Sequence, residues 1–191
     1  MIKIGIDVGS TTAKLVAVDE NDNLLFSKYE RHNAKAKETI LSFLKELLSE
    51  IGDKDISVRI TGSIGMGISE KCSLPFVQEV VAAAKAIQKD YSHVTSMIDI
   101  GGEDAKVVFF NDAEATDLRM NGNCAGGTGA FIDQMAIILG VNIDELNQLA
   151  MNATQVYPIA SRCGVFCKTD IQNLIAKNVS RENIAAPSFV R

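Results

Sequence analysis

Apolar and polar residues alternate along three short segments near the start of the chain, and this alternation predicts β-strands. The segments are residues 2–8, 13–19 and 23–30. Breaks rich in glycine and polar residues separate them at 9–12 and 20–23. We therefore expect the three strands to follow one another as an antiparallel meander.

A helix is predicted after the meander, over residues 35–51, because apolar side chains recur there at spacings of three and four. Gly52 ends this pattern. A further strand at 56–61 leads into a Gly-Ser-x-Gly-x-Gly segment at 62–67, which predicts a turn. A second helix is predicted over 77–90.

The same order then repeats in the second half of the chain. Strands are predicted at 95–100, 105–110 and 114–120, and helices at 130–139, 143–151, 168–177 and 181–186. The repeat places a boundary near residues 92–94. It predicts an α/β protein of two lobes, 1–93 and 94–191.

Composition narrows the class of protein. The chain has 191 residues, 47% of them hydrophobic and 23% charged, which is typical of a globular domain and excludes disorder of the whole chain. Its net charge of -5 argues against nucleic-acid or membrane binding through overall charge. No apolar run is long enough to span a bilayer. Gly5 and Asp7 interrupt the first apolar residues too early for the apolar region of a signal peptide. We therefore expect a cytoplasmic protein whose four cysteines are thiols or ligands rather than disulfides.

A candidate phosphate-binding turn follows the first strand, in the segment Asp-Val-Gly-Ser-Thr-Thr that starts at Asp7. Backbone N–H groups and hydroxyls in such a turn can bind phosphate oxygens, and the aspartate can hold hydrated Mg²⁺. The candidate residues are Gly9, Ser10, Thr11, Thr12 and Lys14. Taken alone, the segment is explained equally well as an ordinary Gly-Ser hairpin turn.

A second segment of the same kind starts at Asp99 and continues through Gly101, Gly102, Glu103 and Asp104, again between two predicted strands. Two such hairpins could bind one nucleotide phosphate chain from both sides. The chain contains no G-x-x-x-x-G-K-[ST] motif, which excludes a P-loop.

The paired segments DVGSTTAK and DIGGEDAK resemble the phosphate loops of the superfamily of actin, Hsp70 and the sugar kinases. This resemblance implies an actin-like ATPase fold with two ribonuclease-H-like lobes, in which mixed sheets are flanked by helices. It also implies Mg²⁺-associated carboxylates at Asp7 and Asp99, and an acid that orients the attacking water at Asp104 or, less favoured, Glu103. Glu79 is a further candidate acid. Backbone donors to phosphate are expected at Gly126, Gly127, Thr128 and Gly129, where a helix begins.

Cys124 lies just before this glycine turn, and Cys163 lies beside Arg162 ahead of another predicted helix. Both positions favour the thiolate, which is the form that binds metal. A small buried side chain is the alternative role for either cysteine.

The segments NGNCAGGTGAFIDQMA and YPIASRCGVFCKTDIQNL resemble the BadF/BadG/BcrA/BcrD ATPase family, and in particular the activase domains of its large fused members. The resemblance implies a [4Fe–4S] cluster shared across a homodimer, with Cys124 and Cys163 as the ligands from each chain. Cys72, which the sequence places in a loop, and Cys167 are then surplus. The alternative is a four-cysteine metal site within one chain.

The function implied by the resemblance is an ATP-hydrolysing activator. A ferredoxin or flavodoxin would reduce the cluster, and the electron would pass to an acyl-CoA dehydratase or reductase. Two alternatives stay open: a small-molecule kinase of the same superfamily, and a docking module without nucleotide competence. The superfamily's adenosine-binding loop is not found before Arg191, so we expect the second lobe to be incomplete. His32 and His93 have no ligand-like spacing and are predicted to lie at the surface.

Overall fold

The computed structural model describes residues 1–111, 114–121, 124, 126–160 and 163–188. The chain divides into two compact units, Met1–Val94 and Thr95–Arg191.

The first unit is built on a four-stranded sheet with the order β3-β2-β1-β4. Its strands are β1 (Ile2–Val8), β2 (Thr12–Val18), β3 (Leu24–Arg31) and β4 (Ile56–Thr61). Its helices are α1 (Ala36–Ile51), α2 (Ser63–Cys72) and α3 (Glu79–Asp90). The β1-β2-β3 meander is antiparallel, whereas β4 lies parallel to β1. A parallel neighbour requires a crossover connection, and α1 lies on that connection.

The core of this unit follows from two periodicities in the sequence. Every second residue of β1 is buried, and the buried residues of α1 recur at the three- and four-residue spacing of one helix face. The buried set consists of Ile2, Ile4, Ile6 and Val8 from the strand and Ile40, Phe43, Leu47 and Ile51 from the helix. The opposite face of β1 is left for polar side chains, Asp7 among them.

The second unit contains a three-stranded antiparallel sheet with the order β5-β6-β7. Its strands are β5 (Ser96–Ile100), β6 (Ala105–Asn111) and β7 (Glu114–Asn121). Its helices are α4 (Gly129–Leu139), α5 (Ile143–Met151), α6 (Gly164–Ala176) and α7 (Arg181–Ala185), followed by a 3₁₀ turn at Ala186–Ser188. Helices α4 to α7 share one apolar cluster that includes Phe131, Met135, Leu146, Ile171 and Ile184.

The strands and most helices lie within a few residues of their predicted positions, but the segment at 62–67 does not form a turn. Only Gly62 has a turn conformation, with φ of 91°, and α2 begins at the next residue. Gly65 is buried on this helix, and a Cβ atom there would lie 3.3 Å from the Ile60 side chain. Gly65 therefore lets α2 pack closely against β4. Cys72, predicted in a loop, is the last residue of α2.

Helix α6 begins earlier than predicted, at Gly164, directly after Cys163. The described ranges contain no helix that combines the length and the apolar composition needed to cross a membrane.

Candidate phosphate loops and cysteine site

The first candidate loop joins β1 to β2 and places Asp7 directly opposite Lys14 across the two strands. The Lys14 Nζ atom lies 2.8 Å from the Asp7 Oδ2 atom. Partial burial would by itself lower the pKa of Lys14, but the hydrogen bond and charge of Asp7, with smaller contributions from Tyr29 and Glu79, raise it above its ordinary value. Lys14 is therefore a cation held beside Asp7 at the base of this loop, and the charge of Glu79 on α3 acts on it as well.

The other Asp7 oxygen, Oδ1, is buried and has no hydrogen-bond partner among the described residues. Gly62 lies against it, and a Cβ atom at that position would be 2.6 Å from Oδ1. An unpaired buried carboxylate oxygen is unfavourable unless a cation or a water binds it. This geometry fits the predicted Mg²⁺-associated role of Asp7.

The backbone of the first loop is closed by a hydrogen bond from the Gly9 N–H to the Thr12 carbonyl, at 3.0 Å. His32, which follows β3, contacts the same loop, and its side chain is 4% exposed. The prediction of a surface position for His32 is therefore wrong. Its burial depends on a contact with a turn more than twenty positions earlier, and spacing along the chain carries no sign of that contact.

The second candidate loop has the same strand register, with Asp99 directly opposite Lys106 across β5 and β6. The Lys106 side chain is 8% exposed, and its Nζ atom lies 2.9 Å and 3.0 Å from the two Asp104 oxygens. It also lies 3.7 Å from the Asp99 Oδ2 atom. A buried lysine thus holds both candidate carboxylates of the loop together. Glu103, the other predicted loop acid, is exposed.

The start of α4 is attached to this second loop by its backbone. The Gly129 N–H donates to the Gly101 carbonyl at 2.9 Å, and the Ala130 N–H donates to the Gly102 carbonyl at 3.0 Å. A Cβ atom at position 129 would lie 3.2 Å from the Gly101 oxygen, so glycine permits this approach. The helix end was predicted to face phosphate, but here two of its N–H groups are already bonded to the loop, whose shape they fix.

The glycine turn before α4 is also where both cysteine segments approach. The Gly126 N–H donates to the Cys124 Sγ atom at 3.3 Å. Gly164, the residue after Cys163, packs so closely on the turn that a Cβ atom there would lie 3.2 Å from the Gly126 Cα atom. Cys124 is exposed and Cys163 is partly exposed. Tertiary packing therefore brings two accessible thiols to one turn from segments 39 residues apart.

The other two cysteines differ in their surroundings. Cys167 is fully buried in the apolar cluster of α4 to α7. Cys72 is exposed, but it belongs to the first unit. Within the described part of the chain, no three His, Cys, Asp or Glu side chains come together as a metal site. The alternative of a four-cysteine site in one chain therefore has no support in these residues.

The paired hairpins, each with an aspartate facing a lysine, are the arrangement expected of an actin-like ATPase. The family model for the BadF/BadG/BcrA/BcrD ATPases matches residues 4–189, and the chain belongs to that family.

Similarity to individual proteins agrees with this assignment. The chain is 28% identical over 185 residues to the (R)-2-hydroxyglutaryl-CoA dehydratase activating ATPase of Acidaminococcus fermentans, covering 96% of this chain and 71% of that protein. It is 31% identical over 199 residues to the 2-hydroxyisocaproyl-CoA dehydratase activator of Clostridioides difficile, covering 97% and 70%. The solved structure of the activator from Clostridium difficile with bound ADPNP matches with a TM-score of 0.87 at 29% identity, over 98% of this chain and 70% of that one.

These similarities confirm the predicted family, the actin-like ATPase fold and the class of enzyme.

Proposed function

We propose that this chain is an ATP-driven activator that passes a low-potential electron to a 2-hydroxyacyl-CoA dehydratase or a related CoA-ester reductase. Its family membership and the dehydratase activators among its relatives support the activator role. The main structural support is a short series of contacts inside the second unit. These contacts link the second candidate phosphate loop to both cysteine segments.

The series begins at Gly101, whose carbonyl is bonded to the first N–H of α4. The glycine turn at the start of that helix includes Gly126, whose N–H is bonded to the Cys124 sulfur. The same Gly126 packs against Gly164, the residue that follows Cys163. A shift of the loop between nucleotide states would therefore reach both cysteines through backbone contacts, with no long side chain in between.

The cysteines of this chain fit a shared [4Fe–4S] cluster. Cys124 and Cys163 are accessible and approach one turn, whereas the burial of Cys167 removes it from any exposed site. Two chains related by a two-fold axis would supply the four thiolates that the cluster needs. When bound, the cluster would supply one-electron chemistry at low potential, with reduced ferredoxin or flavodoxin as the electron source.

The acids of the two loops have distinct parts in the proposed hydrolysis. Asp7 and Asp99 would hold Mg²⁺ against the ATP phosphates. Asp104 would orient a water whose oxygen attacks the γ-phosphorus, while the bond to the β–γ bridging oxygen breaks and its electron pair leaves with ADP. One proton of the water stays on the released phosphate and the other passes to solvent. Both Asp104 oxygens contact Lys106, but a carboxylate oxygen can accept more than one hydrogen bond, so this role stays open to it.

An anaerobic iron count tests the cluster directly. After reconstitution with iron and sulfide, the wild type is expected to be brown and to hold about two iron atoms per chain, half of a cluster shared by a dimer. Cys124→Ala and Cys163→Ala should each remove the colour. The matched control is Cys72→Ala, another exposed thiol, which should retain it. Colour that survives in both of the first two variants would contradict the cluster assignment.

The activator and kinase alternatives are separated by the fate of the γ-phosphate. An activator should release inorganic phosphate from Mg-ATP with water as the acceptor, and the purified dehydratase or reductase component should gain activity in its presence. Transfer of labelled phosphate to an added sugar or acid, unaffected by Cys124→Ala, would indicate a kinase instead.

A further inference from the structure

His32 is a buried side chain that contacts the first candidate phosphate loop and that no role proposed so far uses. Its Nε2 atom lies 3.1 Å from the Gly9 carbonyl oxygen. Its own backbone N–H donates to the Thr11 carbonyl at 3.2 Å. One residue therefore binds two carbonyls of the same short turn, from the side of β3.

The hydrogen bond to Gly9 fixes where the ring carries a proton. A backbone carbonyl can only accept, so the donor is the Nε2–H group of His32. The other ring nitrogen, Nδ1, is buried and has no hydrogen-bond partner within the described part of the chain. The polar contact that orients this ring is thus the one to the loop.

The second loop has the same bond at the equivalent position, made by a different donor. Gly9 and Gly101 each follow their aspartate by two residues, and each N–H closes the turn on the carbonyl three residues later, at 3.0 Å and 2.9 Å. The Gly101 carbonyl then accepts from the first N–H of α4. In the first unit the Gly9 carbonyl accepts from His32 instead.

We propose that His32 is a positioning residue for nucleotide binding, whose Nε2–H holds the Gly9 carbonyl so that the next amide points at phosphate. The C=O and N–H of a trans peptide point in opposite directions, and the described backbone has no cis peptide bond. Holding the Gly9 oxygen toward His32 therefore directs the Ser10 N–H away from it, out of the loop. This inference rests on the proposed nucleotide-binding role of the loop.

Two substitutions separate the hydrogen bond from the space that the ring fills. In His32→Gln the amide nitrogen can reach the position of Nε2 and keep the donor. In His32→Asn the amide reaches only the position of Nδ1 and loses it. The matched control is His93→Gln, because His93 is exposed and lies outside the loop.

Calorimetric titration with Mg-ADPNP should show binding weakened by about tenfold in His32→Asn, the scale of one lost hydrogen bond. His32→Gln and His93→Gln should stay within about twofold of the wild type. Equal weakening in the Asn and Gln variants would overturn the inference, because the ring would then act only by filling space. Unchanged binding in His32→Asn would overturn it as well.

A nitrogen-15 NMR spectrum tests the bond without nucleotide. The His32 ring should show a protonated Nε2, and the Ser10 amide signal should move in His32→Asn but not in His32→Gln. A proton on Nδ1 alone would overturn the inference. If the wild type fails to bind Mg-ADPNP but the ring and amide signals are as expected, the nucleotide role of the loop fails, and His32 as a nucleotide-positioning residue fails with it. In that case the bond to Gly9 is only structural.

Discussion

The two aspartate hairpins share one backbone plan but differ in how their charges are surrounded. Asp7 faces Lys14 in the first unit and Asp99 faces Lys106 in the second, at the same seven-residue spacing and in the same cross-strand register. Yet the Lys14 side chain is 46% exposed, whereas that of Lys106 is 8% exposed. The lysine of the first hairpin is therefore accessible to solvent, whereas the lysine of the second hairpin is buried.

The two hairpins also differ in the residue that ends each turn. In the first hairpin that position is Thr12, and Lys14 has one nearby loop carboxylate, on Asp7. In the second it is Asp104, so Lys106 contacts two loop carboxylates. Two acids make burial of the lysine tolerable, because a buried charge needs close partners. The lesson is that a repeated motif does not imply repeated electrostatics.

The largest effect is expected from neutralising the aspartates, since the proposed hydrolysis uses a carboxylate from each hairpin to hold Mg²⁺. Asp7→Asn and Asp99→Asn should each lower kcat/KM for ATP hydrolysis by about 100-fold, the scale of one lost electrostatic contact in a transition state. Asp117→Asn is the control, because Asp117 is exposed on β7 and pairs with Arg119. If only one of the two variants loses activity, the hairpins are not functional equivalents.

The next largest effect is on the free energy of unfolding, and it should differ between substitutions of Lys106 and Lys14. Lys106→Met leaves Asp99 and Asp104 without their shared cation. We expect a loss of about 2 kcal/mol in the free energy of unfolding, less than for a fully buried pair because both carboxylates are partly exposed. Lys14→Met keeps the same aliphatic length and should cost less, about 1 kcal/mol, because the Lys14 side chain is 46% exposed although that of Asp7 is only 21% exposed. Urea unfolding of both variants measures the difference in the free energy of unfolding. Equal losses would contradict the claim that the more buried lysine contributes more to stability.

A smaller effect tests the way α4 holds the second loop. In Gly129→Ala the added Cβ atom would lie 3.2 Å from the Gly101 oxygen, which should push the helix from the loop and cost about 1 kcal/mol. Gly67→Ala is the matched control, since a Cβ atom there has nothing within 4 Å. That variant should gain up to about 1 kcal/mol from helix propensity. Thermal unfolding compares the two, and a neutral Gly129→Ala would show that the helix end can retreat freely.

The smallest effect is expected at Asp22, which lies outside both hairpins and whose charged partners all belong to the first unit. Hydrogen bonds and charge from Lys89 and Lys3 lower the pKa of Asp22 from 3.8 to about 2. A lowered pKa stabilises the folded form above pH 3.8, and this stabilisation is lost as the pH falls toward 2.

Asp22→Asn should therefore be slightly less stable than the wild type near neutral pH, and the difference should vanish at about pH 2. Asparagine suits the test because Asp22 has a positive φ of 62°, which asparagine tolerates. Unfolding curves recorded across this pH range provide the measurement. A difference that persists in acid would point to the turn conformation rather than to the charge.

Local patterns in the sequence were enough to predict most of the elements. Alternation in β1 and the three- and four-residue spacing in α1 arise from which face of an element is buried, and a single segment carries that information. The two aspartate hairpins are equally local, since each motif spans one turn. The family was recognisable because its cysteine segments are long and specific.

Local patterns predict the structure less well where a glycine permits close packing instead of forming a turn. The glycines at 62–67 predict a turn, but Gly65 instead lets α2 approach Ile60. The spacing of glycines cannot distinguish a flexible turn from a close helix contact, because the contact partner lies outside the segment.

Patterns along the chain predict the two-part α/β organisation, the paired aspartate loops and the family of ATPases. Tertiary packing sets three further features: His32 is buried on the Gly9 carbonyl, Lys106 is enclosed, and both cysteine segments contact Gly126. The physical reason is that burial and hydrogen bonding are set by neighbours in space. The partners of these groups lie 23 positions away for His32 and 38 for Gly126 and Gly164.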